Sequence, residues 1–171
     1  MVNLDLRDID YQIKSLTIDQ LKSIELLNLK CSDYYLLHDG VLPSKKEAVE
    51  IFSSLPPGKN YEDKFVLGIY KSKGELIGII EIVKNFPVVG EWMLGLLFID
   101  PEERDHGLGR QVHEALVQWA ITLGSESFRI GVIKENFKGK KFWSDLGYVK
   151  IKETAMVNKE HIVDVMTLQI S

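Results

Sequence analysis

Apolar and polar positions follow a strand-like pattern through the middle of the chain. Three runs rich in β-forming residues cover positions 65–70, 76–83 and 92–99. The break at residues 71–74 supplies a glycine for a positive-φ turn position, and residues 85–90 contain a proline and a glycine. Because both breaks have the length of hairpin loops, the three runs are predicted to form an antiparallel meander.

The segment before this meander predicts one strand and two helices. Residues 11–16 form the first strand, and Thr17 or Asp19 caps the helix that follows. The apolar stripe of this helix consists of Leu21, Ile24, Leu27 and Cys31. The last of these is the lone cysteine, which we interpret as a small buried residue at the helix end. A second helix is predicted over residues 44–52.

After the meander the pattern becomes helical, starting at Gly107. The apolar face of this helix comprises Leu108, Val112, Leu116, Trp119, Ala120 and Leu123. Gly124 ends the run, as glycine commonly does at a helix C-terminus. This is the longest helix that the sequence predicts.

The C-terminal part predicts a strand, a short helix and a hairpin. The strand covers residues 128–132, the helix covers residues 136–146, and residues 148–157 pair with residues 162–170. The predicted fold class is therefore α+β, with a mixed, mostly antiparallel sheet of about seven strands and helices on both faces.

Composition and charge narrow the class of protein. The chain has 171 residues, 45% of them hydrophobic, so we expect one domain over residues 1–171. The net charge of −4 argues against a general nucleic-acid binder. The longest apolar run falls far short of the about 20 residues that span a membrane, and the first ten residues lack the apolar stretch of a signal peptide. We therefore expect a cytoplasmic protein with no membrane partner. One cysteine and four scattered histidines predict no metal site.

The loop over residues 100–110 lies between a predicted strand and the longest helix. The first turn of a helix carries unpaired N–H groups and a partial positive charge, which attract a phosphate. Gly107 and Gly109 give a phosphate access to the backbone, and Arg104 and Arg110 flank the amides with guanidinium groups. This pattern predicts a pyrophosphate cradle, although two glycines can also simply shape a strand-to-helix turn.

Two motifs resemble those of the GNAT N-acetyltransferases. Arg104, Gly107 and Gly109 match the family pattern R-x-x-G-x-G/A, and they lie where the family has it, between its fourth strand and third helix. Residues 136–148 resemble the second motif, N-x-x-A-x-x-F-Y-x-x-x-G-F. The order of elements agrees over residues 11–170, so the resemblance extends over nearly the whole chain.

The resemblance implies acetyl-CoA as the cosubstrate. In this family the fourth strand, here residues 92–99, parts from the fifth and pairs with the pantetheine arm. The Ile99 N–H would then face a pantetheine carbonyl, and the Leu97 N–H would stabilise charge on the thioester oxygen. The expected cofactor-binding residues are Leu97, Phe98, Ile99, Arg104, Asp105, His106, Gly107, Leu108, Gly109, Arg110, Asn136 and Trp143.

The implied reaction is direct attack on the thioester by a primary amine of a small molecule or peptide. Such an amine, with a pKa of about 10, is protonated at neutral pH and needs a base. The candidates are Glu81, Glu91 and Asp33, and Glu81 is unusual because it lies within an apolar strand. We expect Leu97, Glu81 and Trp143 to be catalytic. Asp33, Tyr34 and Tyr35, with His38 nearby, occupy a loop after the first helix and are expected to bind the acceptor.

Trp143 stands where many family members have a tyrosine that protonates the leaving thiolate. An indole N–H donates a hydrogen bond but gives up no proton, so we expect a packing role and a proton donor elsewhere. His113 and His161 are interpreted as surface residues, and Lys138, Lys140 and Lys141 either approach the nucleotide phosphate or are solvated. The alternative function is a catalytically weak CoA-binding regulatory or interaction module on the same fold, and the sequence leaves a homodimer open.

Overall fold

A computed structural model describes residues 1–156 and 160–171. Within them, the strands are β1 (Asn3–Asp5), β2 (Tyr11–Ser15), β3 (Lys64–Lys71), β4 (Leu76–Val83), β5 (Glu91–Ile99), β6 (Ser127–Ile133), β7 (Val149–Ala155) and β8 (Ile162–Gln169). They form one sheet in the order β1-β2-β3-β4-β5-β6-β8-β7. Neighbours pair antiparallel except β5 and β6, which are parallel. The predicted α+β class with a mostly antiparallel sheet is confirmed.

The eighth strand was not predicted. β1 has three residues at the edge of the sheet, too few for an alternating pattern to show. The predicted terminal hairpin is present as β7 and β8, but its predicted limit at residue 157 lies outside the described residues.

The helices are α1 (Leu21–Lys30), α2 (Ser32–Asp39), α3 (Lys45–Ser53), α4 (Leu108–Thr122) and α5 (Phe137–Asp145). The prediction of a loop at α2 was wrong. A single residue, Cys31, separates this helix from α1, and Tyr35 is its one buried residue, so no apolar stripe indicated it. In the described parts of the chain, no helix is long and apolar enough to cross a membrane.

The helices cover the two faces of the sheet. On one face the buried positions of α4 recur at helical spacing as Leu108, Val112, Leu116 and Ala120, and they pack on residues of β4 to β6. Leu123 is 53% exposed, contrary to the prediction, because α4 ends at Thr122 and Gly124 turns the chain with φ of +89°. On the other face, α1 to α3 bury Ile24, Leu27, Cys31 and Ala48.

A bulge in β5 interrupts its alternation between these faces. Glu81 pairs with Leu96 and Ile82 pairs with Leu94, which leaves Gly95 without a partner in β4. Leu94 packs with the core under α4, whereas Leu96 packs with the core under α1 to α3. Alternate residues of a regular strand share one face, so the extra residue at Gly95 reverses the faces for the rest of β5.

Candidate active site

β5 and β6 meet at one end and part at the other. Their parallel pairing runs through Glu91–Ser127, Trp92–Phe128 and Met93–Arg129, and ends there in the described chain. Beyond Met93, β5 follows β4 and β6 follows β8. A cavity of about 460 Å³ opens at this divergence. We call residues 91–93 the closed end of β5 and residues 94–99 its open end.

The cavity brings together most of the residues predicted from the sequence. Those that line it are Asp33, Tyr34, Leu97, Phe98, Ile99, Arg104, Asp105, Gly107, Gly109, Arg110, Asn136 and Trp143. Four others lie outside its lining: Tyr35 and Leu108 have buried side chains, His106 is exposed, and Glu81 lies behind Gly95.

The open end of β5 directs alternate backbone groups towards the cavity. The Asp100 N–H donates to the Ile77 carbonyl of β4 at 2.7 Å. Because backbone groups of successive residues point to opposite sides of a strand, the N–H groups of Ile99 and Leu97 point away from β4. These are the two amides that the family resemblance selects.

The first turn of α4 faces the same cavity. Its N-cap, Gly107, has φ of +81°, a conformation that glycine adopts without strain, and Asp105 has φ of +65°. In the part of the chain that the structure describes, no side chain caps α4, whereas Ser44 caps α3 and Asn136 caps α5. The amides at the start of α4 are therefore open to an anion.

Gly109 has a packing reason that the sequence did not reveal. A Cβ on Gly109 would lie 3.1 Å from the Phe142 ring of α5. A Cβ on Gly107 would have no atom within 4 Å. The two motif glycines are thus needed for different reasons. Gly107 permits a positive φ, and Gly109 permits the close approach of α4 and α5.

Arg104 binds protein groups with all three of its nitrogens. Nη1 and Nη2 donate to the Asp33 carboxylate at 2.6 and 3.2 Å, and Nε donates to the Ile99 carbonyl at 2.7 Å. This pair holds the pKa of Asp33 below its usual value. Arg104 therefore fastens α2 to the end of β5, and Asp33 is a weak proton acceptor. Arg110 is exposed and donates to the Asp145 carbonyl at 3.4 Å.

Glu81 approaches the cavity from behind the bulge. Its Oε1 lies 3.3 Å from the position that a Cβ on Gly95 would occupy, and Gly95 is itself exposed in the cavity wall. Burial raises the pKa of Glu81, and Lys64 opposes that rise. Of the three candidate bases, Glu91 lies at the closed end, where it forms an ion pair with Arg129. Glu81 is therefore the best placed to accept a proton.

The side of the cavity that α2 forms is aromatic. Tyr34 stacks on His38 with 3.9 Å between ring centroids, and it lies 5.5 Å from Phe98. Burial raises the pKa of Tyr34, so its phenol stays protonated. Tyr35 is 5% exposed and packs in the core, so the structure places Tyr34 but not Tyr35 where an acceptor could reach it.

Trp143 lines the cavity from α5 and packs on a buried pair. Its ring lies 5.2 Å from Tyr148 and 6.0 Å from His113, whose Nε2 is 2.9 Å from the Tyr148 hydroxyl. Burial, together with the nearby Arg110, lowers the pKa of His113 to about 4. The interpretation of His113 as a surface residue was wrong, because it lies on the inner face of α4 at 3% exposure.

The remaining polar residues near the rim are engaged locally. Asn136 Oδ1 accepts from the Gly139 N–H at 2.9 Å, which caps α5. Lys140 lies 3.4 Å from Asp164, Lys141 lies 2.8 Å from Asp145, and Lys138 lies 3.7 Å from Asp105. Across the described ranges, no group of three His, Cys, Asp or Glu residues could hold a metal ion.

Sequence reasoning missed the cavity wall made by Gly95 and by residues 130–132 of β6. A glycine inside the apolar run 92–99 was the available signal for the bulge, since interior strand glycines often mark one. Residues 130–132 carried no such signal, because they line the cavity only as a result of β5 parting from β6.

Comparison with known families identifies the class to which this cavity belongs. The acetyltransferase (GNAT) family model matches residues 26–148, which is well over half of the chain. The chain therefore belongs to the GNAT family of N-acetyltransferases, as the two motifs predicted.

A curated relative supports the same membership. YobR of Bacillus subtilis strain 168, described as an uncharacterized N-acetyltransferase, is 25% identical over 122 residues. The match covers 71% of this chain and 46% of YobR, so this chain spans about half the length of that relative.

Solved structures share the fold at low identity. An acetyltransferase of Thermus thermophilus superposes with a TM-score of 0.76, at 18% identity, over 93% of this chain and 96% of that one. The Vibrio cholerae spermidine N-acetyltransferase, in complex with CoA and spermine, gives 0.71 at 17% identity over 94% and 95%. The Escherichia coli ribosomal-protein-S18-alanine N-acetyltransferase gives 0.68 at 17% identity over 94% of each chain. Likeness at these identities shows the fold alone.

Proposed function

We propose that this protein transfers an acetyl group from acetyl-CoA to a primary amine of a small molecule or peptide. The parting of β5 and β6 carries this proposal, because it opens one cavity onto a free strand edge and an uncapped helix start. A free strand edge offers donors and acceptors to an amide-containing arm, and a helix start attracts phosphate. The two features together fit the two halves of a CoA molecule.

The residues present fit such a cosubstrate without further side chains. The amides of residues 106–110 would hold the pyrophosphate, helped by the exposed Arg110 guanidinium. The Ile99 N–H would pair with the pantetheine arm. Arg104 is bound to Asp33 and Ile99, so its support for phosphate binding comes through the shape of the loop.

Bound acetyl-CoA would supply a thioester at the open end of β5. There the Leu97 N–H would donate to the carbonyl oxygen as negative charge develops on it. The leaving thiol has a pKa of about 8.5, so it can depart as a thiolate near neutral pH without a tyrosine acid. Trp143 would pack beside the arm and keep water away from it.

Glu81 would accept the proton that the attacking amine must lose. Its carboxylate stands behind Gly95, which has no side chain to block the path. Burial raises its pKa towards the range in which a carboxylate accepts protons effectively at neutral pH. Asp33, with both oxygens bound by Arg104, would instead hold α2 in place beside the cavity.

The acceptor is tested by a panel of amines assayed with acetyl-CoA by release of free thiol. The names of the solved relatives span a polyamine and a protein alanine, so the panel contains polyamines, aminoglycosides and N-terminal peptides. Thiol release that depends on one amine class supports the proposal. Binding of acetyl-CoA without transfer to any amine would instead support the regulatory or interaction module.

A further inference from the structure

We infer that Lys64 is a positioning residue that fixes the Glu81 carboxylate beside the cavity and keeps it ready to accept a proton. This inference rests on the proposed role of Glu81 as the base. Neither motif contains Lys64, which lies on β3, outside the cavity lining.

The strand register places the two side chains on one face of the sheet. Val66 pairs with Glu81, and Lys64 precedes Val66 by two residues, so Lys64 and Glu81 are diagonal neighbours. Lys64 Nζ lies 3.6 Å from Glu81 Oε2. The side chains are 3% and 19% exposed, so their attraction is only weakly screened by water.

Lys64 is itself held in place from a second element. Its ammonium donates to the Ser54 carbonyl at 2.5 Å and lies 3.3 Å from the Ser54 hydroxyl. Ser54 is the C-cap of α3, so the ammonium lies at the helix C-terminus, where the helix dipole favours a cation. A buried ammonium that leaves these partners is costly, which restricts where Nζ can move.

One oxygen of Glu81 thus faces Lys64 and the other faces Gly95. Oε2 is bound on the side of β3, and Oε1 lies next to the cavity wall. This division suits a carboxylate that is anchored at one oxygen and accepts a proton at the other.

The charge around Glu81 comes mainly from Lys64. Among the residues that the structure describes, Tyr34 of α2 also interacts with Glu81, and its phenol stays protonated because burial raises its pKa. β5 presents Gly95 and Leu96, which do not titrate. Burial raises the pKa of Glu81, and the ammonium lowers it. Removal of the ammonium therefore leaves Glu81 protonated up to a higher pH.

The test compares three Lys64 variants with a matched lysine. Lys64→Met removes the charge and the donor, Lys64→Gln removes the charge but keeps a donor for Ser54, and Lys64→Arg keeps both. The control is Lys59→Met, because Lys59 is also partly buried and pairs with Asp63 at 3.2 Å, away from Glu81. The pH dependence of kcat/KM is measured with one acceptor amine, and the Glu81 carboxyl is titrated by ¹³C NMR.

The acid limb of kcat/KM and the NMR titration of Glu81 should both move up by about one pH unit in Lys64→Met and Lys64→Gln. Lys64→Arg and Lys59→Met should leave both near the wild-type position. If Lys64→Met does not fold, Lys64→Gln gives the same comparison.

An unmoved Glu81 titration in a folded, neutral Lys64 variant overturns the inference, whatever the activity. A moved titration with an unmoved acid limb overturns it too, because the carboxylate would then not be the base. Failure of the wild-type protein to acetylate any amine overturns the proposed function, and with it the positioning role of Lys64 in the reaction, even where the NMR titration has moved.

Discussion

The two ends of β5 differ in what their backbone and side chains do. At the closed end, β6 pairs with residues 91–93, and Glu91 forms an ion pair with Arg129. Trp92 is 1% exposed there, and its ring centroid lies 5.9 Å from that of Phe65 and 5.7 Å from that of Trp119. At the open end, the edge of β5 that no longer pairs with β6 faces the cavity.

We therefore expect the closed end of β5 to contribute mainly to stability and the open end to contribute mainly to the reaction. Backbone donors are ordinarily paired when they are buried, so a strand that leaves its neighbour needs another partner on that side. A bound ligand can supply that partner at the open end, whereas β6 already supplies it at the closed end. Substitutions at the closed end should therefore affect folding, and those at the open end should affect turnover.

The largest effect is expected from Glu81→Gln. The amide keeps the shape of the side chain but accepts no proton, so turnover should fall by about 10²- to 10⁴-fold. Affinity for acetyl-CoA, measured by calorimetry, should stay near wild type because Glu81 lies behind Gly95.

The same change at the closed end provides the control. Glu91→Gln weakens the ion pair with Arg129 and should lower the melting temperature while the folded enzyme keeps its turnover. Equal losses of turnover in the two variants would erase the distinction between the ends of β5.

Two tryptophans provide a second test, because Trp92 lies at the closed end of β5 and Trp143 lines the cavity. Trp92→Ala empties a fully buried site at the closed end and should lower the free energy of unfolding by about 3–5 kcal/mol in urea titrations. Trp143→Ala, which is only partly buried, should cost less stability but weaken acetyl-CoA binding. Trp143→Phe should keep most of the activity, and a selective loss of turnover in it would show that the indole N–H takes part.

Substitution of either motif glycine should lower the free energy of unfolding, but for a different physical reason in each case. Gly109→Val meets the Phe142 ring and should lower the free energy of unfolding by about 1–3 kcal/mol through overpacking. Gly107→Ala meets no atom but forces a left-handed backbone angle, which costs about 1–2 kcal/mol.

A second substitution separates these causes. Phe142→Leu should recover part of the loss in Gly109→Val and none of the loss in Gly107→Ala. Unfolding titrations of the single and double variants measure this coupling, and equal recovery in both would contradict the packing account of Gly109.

The smallest effect concerns the ion pair between Asp33 and Arg104. Arg104 lowers the pKa of Asp33 in the folded state, so the pair stabilises the fold above about pH 4 and loses that contribution as the pH falls through the folded-state pKa. Asp33 is largely exposed, so Asp33→Asn should cost only about 0.2–1 kcal/mol at pH 7. The cost should vanish at low pH, and a constant cost would assign it to another cause.

The fold class and many of the cavity residues could be predicted from the sequence, because local patterns encode them. The stripe from Leu108 to Ala120 and the glycines at 107 and 109 lie within single elements or turns, where spacing is informative. The pairing of Asp33 with Arg104, 71 positions apart, and the burial of His113 under Trp143 depend on how elements pack. Short-range periodicity contains no signal for such contacts, and α2 escaped notice because just one of its residues is buried.

Binding of acetyl-CoA along the open end of β5 is tested most directly by an amide NMR titration of the whole protein. The ¹H–¹⁵N signals of Leu97, Ile99 and residues 107–110 should shift most on addition of acetyl-CoA, while those of Trp92 and Met93 at the closed end should move least. Shifts centred on the closed end, or no shifts with acetyl-CoA at millimolar concentration, would contradict the account.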